Sequence, residues 1–498
     1  MLGMVKSRLA IAIFAAALSL LGSCNARAPQ SSSSAVERPG EGSRTTGALT
    51  GILLRDIADD TSDRENEPDF EPSIAVNSTK PSEIAVVAFS GSWGVRADGT
   101  AVNAPVWKST DGGNTWKKLP LIPPPPPLQL ATGRKVTLVG PADQHIAYDS
   151  SGHLWIAEMA RDRDDGNFTV NVLYRQTGGP EAPLTSGLVF GDGIADQPQV
   201  GVDVSLHGCE AATIYTSWLK TDHENSVNTV SRSGKDARTV PVAPDLELPT
   251  RSTRIATGPD GKAYLMYKTR QPSGSDFEPV FFRVRRSDDC GITWNALGPA
   301  GVSIHGPNHV TSYYSSDFGD LAKTKLEARA RVRSSDAWLA LDPVSADVYA
   351  AYVNRDSSGF GQIYVARSTN QGRTWTSTRV TDGRAHSAVP EIAVTANGAV
   401  GVLYIDYVEI GSATRFRHNF AVSTDLGATW SSQLLQSMDP ATLSNVDVGV
   451  DLWGDYEGLT AAGTTFYGVF TGVSIGRKTT QLDPIFFKLA MQTGAPGR

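Results

Sequence analysis

An eight-residue pattern occurs four times in this 498-residue chain. It reads S-x-[DN]-x-G-x-T-W and begins at Ser109, Ser287, Ser368 and Ser423. The third position is Asp111, Asp289 and Asp425 in three copies and Asn370 in the other. Five shared positions repeated four times mark a repeat architecture, in which each copy belongs to one supersecondary unit. The chemistry of the pattern predicts a turn between two strands. An Asp or Asn near a Ser can take backbone N–H groups and hold a tight bend. The Gly accepts a positive φ. Thr re-enters extended structure, and Trp supplies a large apolar plate. A strand-like run precedes each copy, at 106–108, 281–285, 363–366 and 419–422.

A second signature has wider coverage. Seven segments hold a small residue between apolar ones, then a turn, then another apolar strand. The first strands lie at 73–76, 145–148, 199–202, 254–257, 338–341, 391–394 and 456–459. The second strands lie at 84–89, 154–157, 214–219, 263–267, 348–353, 400–405 and 466–470. A small residue recurring in the first strand fits a place where inner strands converge. The 48 Gly, 29 Pro and 10 Trp suit a turn-rich, aromatic-plated all-β chain.

The eight-residue pattern resembles the Asp box, or BNR repeat, of sialidases and sialidase-like proteins. The resemblance implies an all-β β-propeller of four-stranded antiparallel blades. In that family the box joins the third and fourth strands of a blade, on the face away from the active site. Seven units suggest seven blades, with six as the runner-up. The resemblance covers 71–489 as fold. The Arg-Ile-Pro motif of sialidases is absent, and the stretch in its place is Glu71-Pro72-Ser73-Ile74.

The ends and linkers read separately. A basic lead and the apolar run 9–21 form a signal peptide over 1–23. The run ends in Leu21-Gly22-Ser23-Cys24, which resembles a bacterial lipobox and implies acylation of Cys24. An ordinary secretory peptide with a chance Cys is the alternative. Residues 24–48 read as a disordered tether, and 49–498 as the propeller domain, with 49–57 available to close the ring. The chain is therefore expected to be exported and anchored at the outer membrane or cell surface, touching membrane through Cys24 alone. Cys209 and Cys290 are a disulfide candidate in that compartment; two unpaired thiols are the alternative. A formal net charge of -7 and the lack of a basic stripe argue against nucleic acid.

Function is read at the propeller axis. The residues just before each apolar-small-apolar run line one ring around the axis: Ser73, His145, Gln199, Arg254, Trp338, Glu391 and Tyr456. Such a ring is either a polar ligand cradle or a plug whose members satisfy one another. The sialidase resemblance implies Tyr456 as nucleophile with Glu391 as its base, and Asp406 or Glu158 as acid/base. Arg254, with His145, Gln199 and Trp338, would bind the substrate. Three functions are expected from this: a sialidase-type glycoside hydrolase, a non-catalytic glycan- or protein-binding propeller, and a polysaccharide lyase. The lyase reading draws on His305, His309, Tyr313 and Tyr314 in the insertion 298–334. No cofactor or metal is expected: the acidic run 56–69 lacks the spacing of a calcium loop. The stretch 453–458, Trp-Gly-Asp-Tyr-Glu-Gly, is distinctive but is assigned no role beyond the last inner strand.

Overall fold

The structure is a computed structural model. It describes residues between 49 and 492 except 59–68, 91–93, 96–100, 103–104, 167, 194, 204–212, 221–224, 231–237, 242–249, 271–279, 298–301, 304–336, 356–360, 411–412, 440–441, 443–455 and 476–481. The described residues form seven antiparallel sheets of four or five strands and two small two-stranded ribbons. Six of the seven sheets each use one stretch of chain in meander order. They open on Asp69–Val76, Leu138–Tyr148, Ala195–Val202, Thr250–Thr257, Trp338–Leu341 and His386–Val394, and are numbered one to six here. The seventh opens on Gly458–Ala462, continues through Thr465–Val473 and Leu482–Ala490, and takes its fourth strand from Leu53–Asp56. Leu53 lies opposite Lys488 and Asp56 opposite Ile485. The segment expected to close the ring does pair with the last sheet.

The first strand of each sheet packs against the first strand of the next, and that of the seventh returns to the first. This cyclic neighbour order is that of a β-propeller with the first strands innermost. Apolar side chains from facing sheets fill the wedges between them. One such cluster joins Val87 and Val106 of the first sheet to Ile156, Val172 and Tyr174 of the second. Another joins Tyr349, Ala351 and Val365 of the fifth to Val402, Tyr404 and Ala421 of the sixth.

Crowding at the centre explains the small residues. A Cβ on Gly458 would lie 3.1 Å from the backbone of both Pro72 and Ile74, where the seventh and first sheets meet. A Cβ on Gly201 would meet Ile255 of the next sheet at 2.8 Å. The last inner strand begins later than its sequence pattern suggests: Tyr456 and Glu457 precede it.

The repeated pattern joins the third and fourth strands of sheets one, four, five and six. In the sixth sheet Ser423 Oγ donates to Asp425 Oδ1 (2.6 Å) and accepts from Gly427 N (2.8 Å). Thr429 gives Asp425 both its N–H (2.8 Å) and its hydroxyl (2.6 Å). The same bonds recur around Asp111 and Asp289. Asn370 keeps the turn by donating Nδ2 to Thr374 Oγ1 instead (2.7 Å). Each Trp then packs on the preceding sheet: Trp116 against Phe486 and Trp294 against Tyr215. Burying a Trp of roughly 150–250 Å² is worth about 4–6 kcal/mol in transfer free energy. The turns thus fasten one wedge to the next.

Candidate functional site

Of the seven expected ring residues, His145, Arg254, Trp338, Glu391 and Tyr456 meet in one cluster, and the bonding of the ring positions shows what holds them. Innermost strands expose one row of backbone N–H and C=O groups to the axis, which need partners. Ser73 Oγ accepts the N–H of Ile146 in the second sheet (3.3 Å). His145 Nδ1 accepts the N–H of Val200 in the third (3.3 Å). The Glu391 carboxylate accepts the N–H of Glu457 at the seventh, together with the indole N–H of Trp338. In three sheets, therefore, the ring side chain satisfies the backbone of the next sheet in the circle. Tyr456 reaches across to the second sheet, where its hydroxyl accepts the N–H of Gln144 (3.2 Å).

The remaining members stack. The Arg254 guanidinium lies 4.3 Å from the Trp338 ring centre and 6.0 Å from that of Tyr456. Trp338 is edge-on to Tyr456 (6.2 Å) and stacked with His145 (6.0 Å). Arg254 and Tyr456 are each 1% exposed and Glu391 3%. Gln199 is buried at the same register. His145 and Asp143 keep part of their surface open.

Burial sets the charge states. It pushes the Glu391 carboxyl well above its usual range, against the pull of Arg254 and with the help of Glu457. It holds the His145 imidazole down to about 3, with Arg254 adding to the effect. The Tyr456 phenol is pushed up by burial and then by the nearby carboxylates Asp143 and Glu71. At neutral pH the His145 imidazole is therefore uncharged and the Tyr456 phenol keeps its proton, while burial favours the neutral form of Glu391.

The four residues named for catalysis do not share one cradle. Tyr456 and Glu391 belong to the cluster, but their hydrogen bonds run to Gln144 on one side and to Trp338 and Glu457 on the other. Glu158 sits opposite Gln144 on the second sheet and takes the Tyr174 hydroxyl (2.7 Å). Tyr174 belongs to the apolar wedge between sheets one and two, so Glu158 is built into that wedge. Burial pushes its carboxyl up to about 8. Asp406 lies farther from the repeat turns than Glu391, held by Ser387 Oγ (2.5 Å) and Asn419 Nδ2 (3.0 Å).

Three features escaped the sequence reading. Glu457 and His418 meet between sheets six and seven, with Nε2 3.3 Å from Oε1 and the imidazole stacked on Phe470 at 4.4 Å. Burial pushes Glu457 up and holds His418 down to about 3. The Trp-Gly-Asp-Tyr-Glu-Gly stretch thus supplies two buried groups, Tyr456 and Glu457. Next, Glu71, Asp143, Gln197 and Val389 all have positive φ, between 28° and 51°. Each precedes a ring residue by two and coincides with a bulge in the strand pairing. Pro72, Pro198 and Pro390 follow three of them, and that x-Pro spacing was a readable signal. Last, the bulges bring Glu71 and Asp143 close to Tyr456.

Cys290 is disulfide-bonded. Cys209, its expected partner, lies outside the described residues, as do Cys24, the tether, His305, His309, Tyr313 and Tyr314. Among the described residues no group of three or more His, Cys, Asp or Glu is placed to hold a metal.

No family model matches the chain, and no curated protein matches it. Among solved structures it is similar to a polysaccharide lyase described as an ulvan lyase: 9% identity, TM-score 0.47, over 85% of this chain and 94% of that one. It is also similar to the Penicillium chrysogenum α-L-arabinanase complexed with arabinobiose, at 12% identity and TM-score 0.41, over 84% and 93%. The Trypanosoma rangeli sialidase follows at 11% and 0.33, over 85% and 55%. Likeness this distant assigns no residue a role, and the fold rests on the sheet order itself.

Proposed function

We propose that this chain is an exported, lipid-anchored β-propeller of the sialidase-like repeat class, seven-bladed if each sheet is one blade, that binds glycan without cleaving it. Anchoring at Cys24 and the Cys209–Cys290 bridge belong to this proposal. One observation carries the non-catalytic reading: ring side chains are spent on the backbone N–H groups of neighbouring sheets. A nucleophile needs its base within hydrogen-bond reach; among the described residues the Tyr456 hydroxyl accepts the Gln144 N–H, and Glu391, its expected base, is bonded to Trp338 and Glu457.

A hydrolytic reading has one specific support. The charges of Glu71 and Asp143 are felt by the Tyr456 phenol and raise it, which places carboxylates in its neighbourhood. The test uses the full-length chain with fluorogenic sialosides, and with uronate polymers followed by the ultraviolet absorbance of unsaturated products. Retention on immobilised glycans is measured alongside. Retention without turnover is the expected result. Turnover of a sialoside that Tyr456→Phe abolishes while the fold is kept would establish the hydrolase and overturn the binding reading. Unsaturated products would establish the lyase.

A further inference from the structure

The sixth sheet carries a polar row across its width. Ser387, Asp406, Arg417 and Ser437 lie opposite one another across four strands. Strand alternation puts Asp406 on the face of Val402 and Tyr404, and Arg417 on that of Ala421. Those residues pack against Val353, Ile363 and Val365 of the fifth sheet. The row therefore borders the apolar wedge between sheets five and six. It lies away from the repeat turn at Ser423, at the end where first strands carry their bulges.

The row is preorganised and open. Ser387 and Asn419 are buried and fix the Asp406 carboxylate with one donor on each oxygen. Asn419 Nδ2 also reaches Arg417 O (2.9 Å), tying the two strands' polar groups together. Asp406 and Arg417 themselves are half-buried. Arg415, two residues before Arg417, is closed off by Asp439 at 2.5 Å. Arg417 differs: its Nε is buried with no partner. A guanidinium N–H left without an acceptor at a half-open site costs free energy until something accepts it.

We propose that this row is a subsite for adjacent hydroxyls of a neutral sugar, with Arg417 donating and Asp406 accepting. The inference rests on the glycan-binding reading above. Charge decides the ligand class. An anion drawn to Arg417 meets Asp406 on the facing strand, and a cation meets the reverse. A hydroxyl donates to one and accepts from the other, so a pair of hydroxyls satisfies both without net charge. The Asp406 carboxylate, already oriented by two donors, loses little freedom on binding.

The experiment is affinity electrophoresis of the full-length chain through gels containing neutral polysaccharides (arabinan, galactan, xylan) or acidic ones (polygalacturonate, heparin). The expected result is retardation by a neutral polymer, weakened about tenfold or more in Arg417→Ala and Asp406→Asn, as for loss of a hydrogen bond to a charged group. Arg417→Lys keeps charge and fold but not the fork, and is expected to lose most of the retardation as well. Unfolding curves establish that each variant is folded. Neutral retardation that all three folded variants retain would overturn the subsite and leave the glycan-binding reading standing. Retardation by acidic polymers alone would overturn the neutral-sugar assignment. No retardation by any glycan would remove the glycan-binding reading and this inference with it.

Discussion

Replacing Glu158 with Gln should stabilise the protein, and by an amount that depends on pH. Glu158 is fully buried, takes one bond from Tyr174, and leaves Oε2 buried with no partner. Burial raises its carboxyl from the reference 4.5 to about 8. A carboxyl raised in the folded state favours folding below the unfolded value and loses that advantage as pH rises. The loss runs from 4.5 to about 8. At pH 7 the shift between the two values has removed roughly 3 kcal/mol, at about 1.4 kcal/mol for each pH step above the unfolded value. Glu158→Gln keeps the shape and the acceptor for Tyr174 but has nothing to deprotonate. Its new amide also faces Gln144 Oε1, which is buried without a partner on the opposite strand. Urea unfolding followed by Trp fluorescence at pH 5, 6.5 and 8 gives the test. The parent should weaken along that series and the variant should not, so that the gap widens to about 3 kcal/mol or more at pH 8. A variant with the parent's pH slope, or one less stable than the parent at pH 8, would refute the argument that Glu158 is a desolvated wedge residue.

Two further substitutions probe the frame. Ser423→Ala removes the hydroxyl that bonds Asp425 and Gly427 in the sixth-sheet turn; a loss of about 1–3 kcal/mol is expected in the urea midpoint, from the buried Gly427 N–H left without its acceptor. Gly458→Ala puts a methyl 3.1 Å from the backbone at Pro72 and Ile74. A loss of about 1–3 kcal/mol is expected, since backbone atoms yield less than side chains, and hydrogen exchange should rise first at Leu53–Asp56 and Gly458–Ala462.

The fold was legible because it repeats. Trp116, Trp294, Trp375 and Trp430 each follow the same turn, and local chemistry dictates that turn whatever surrounds it. The first strands could be located from their small residues, because the crowding that excludes a side chain at Gly201 or Gly458 acts through sequence composition. The bulges at Glu71, Asp143, Gln197 and Val389 were not located, although Pro followed three of them. A bulge leaves the apolar alternation nearly intact while turning the side chain after it onto a new heading. That heading, not the position in the strand, decides which group meets which. The sequence column could place Tyr456 and Glu391 in one ring, yet it could not say that their bonds lead to opposite sides of it.

A polar residue at an inner strand's edge answers two different demands, and the sequence looks the same under both. One is a ligand; the other is the strand's own backbone, which has no next strand to pair with. In Ser73, His145 and Glu391 the second demand is met by the neighbouring sheet's amide. These groups work as clasps that hold the circle at its narrowest radius, where a lost N–H partner would cost about 1–3 kcal/mol. Farther out the backbone is paired on both sides, so a buried or half-buried polar row there has no such duty. Arg417 and Asp406 stand in that position, within the sixth sheet and between paired strands. An arginine N–H that the fold leaves without an acceptor, as at Arg417 Nε, is the better pointer to a ligand than a ring whose members are bonded to the backbone around them.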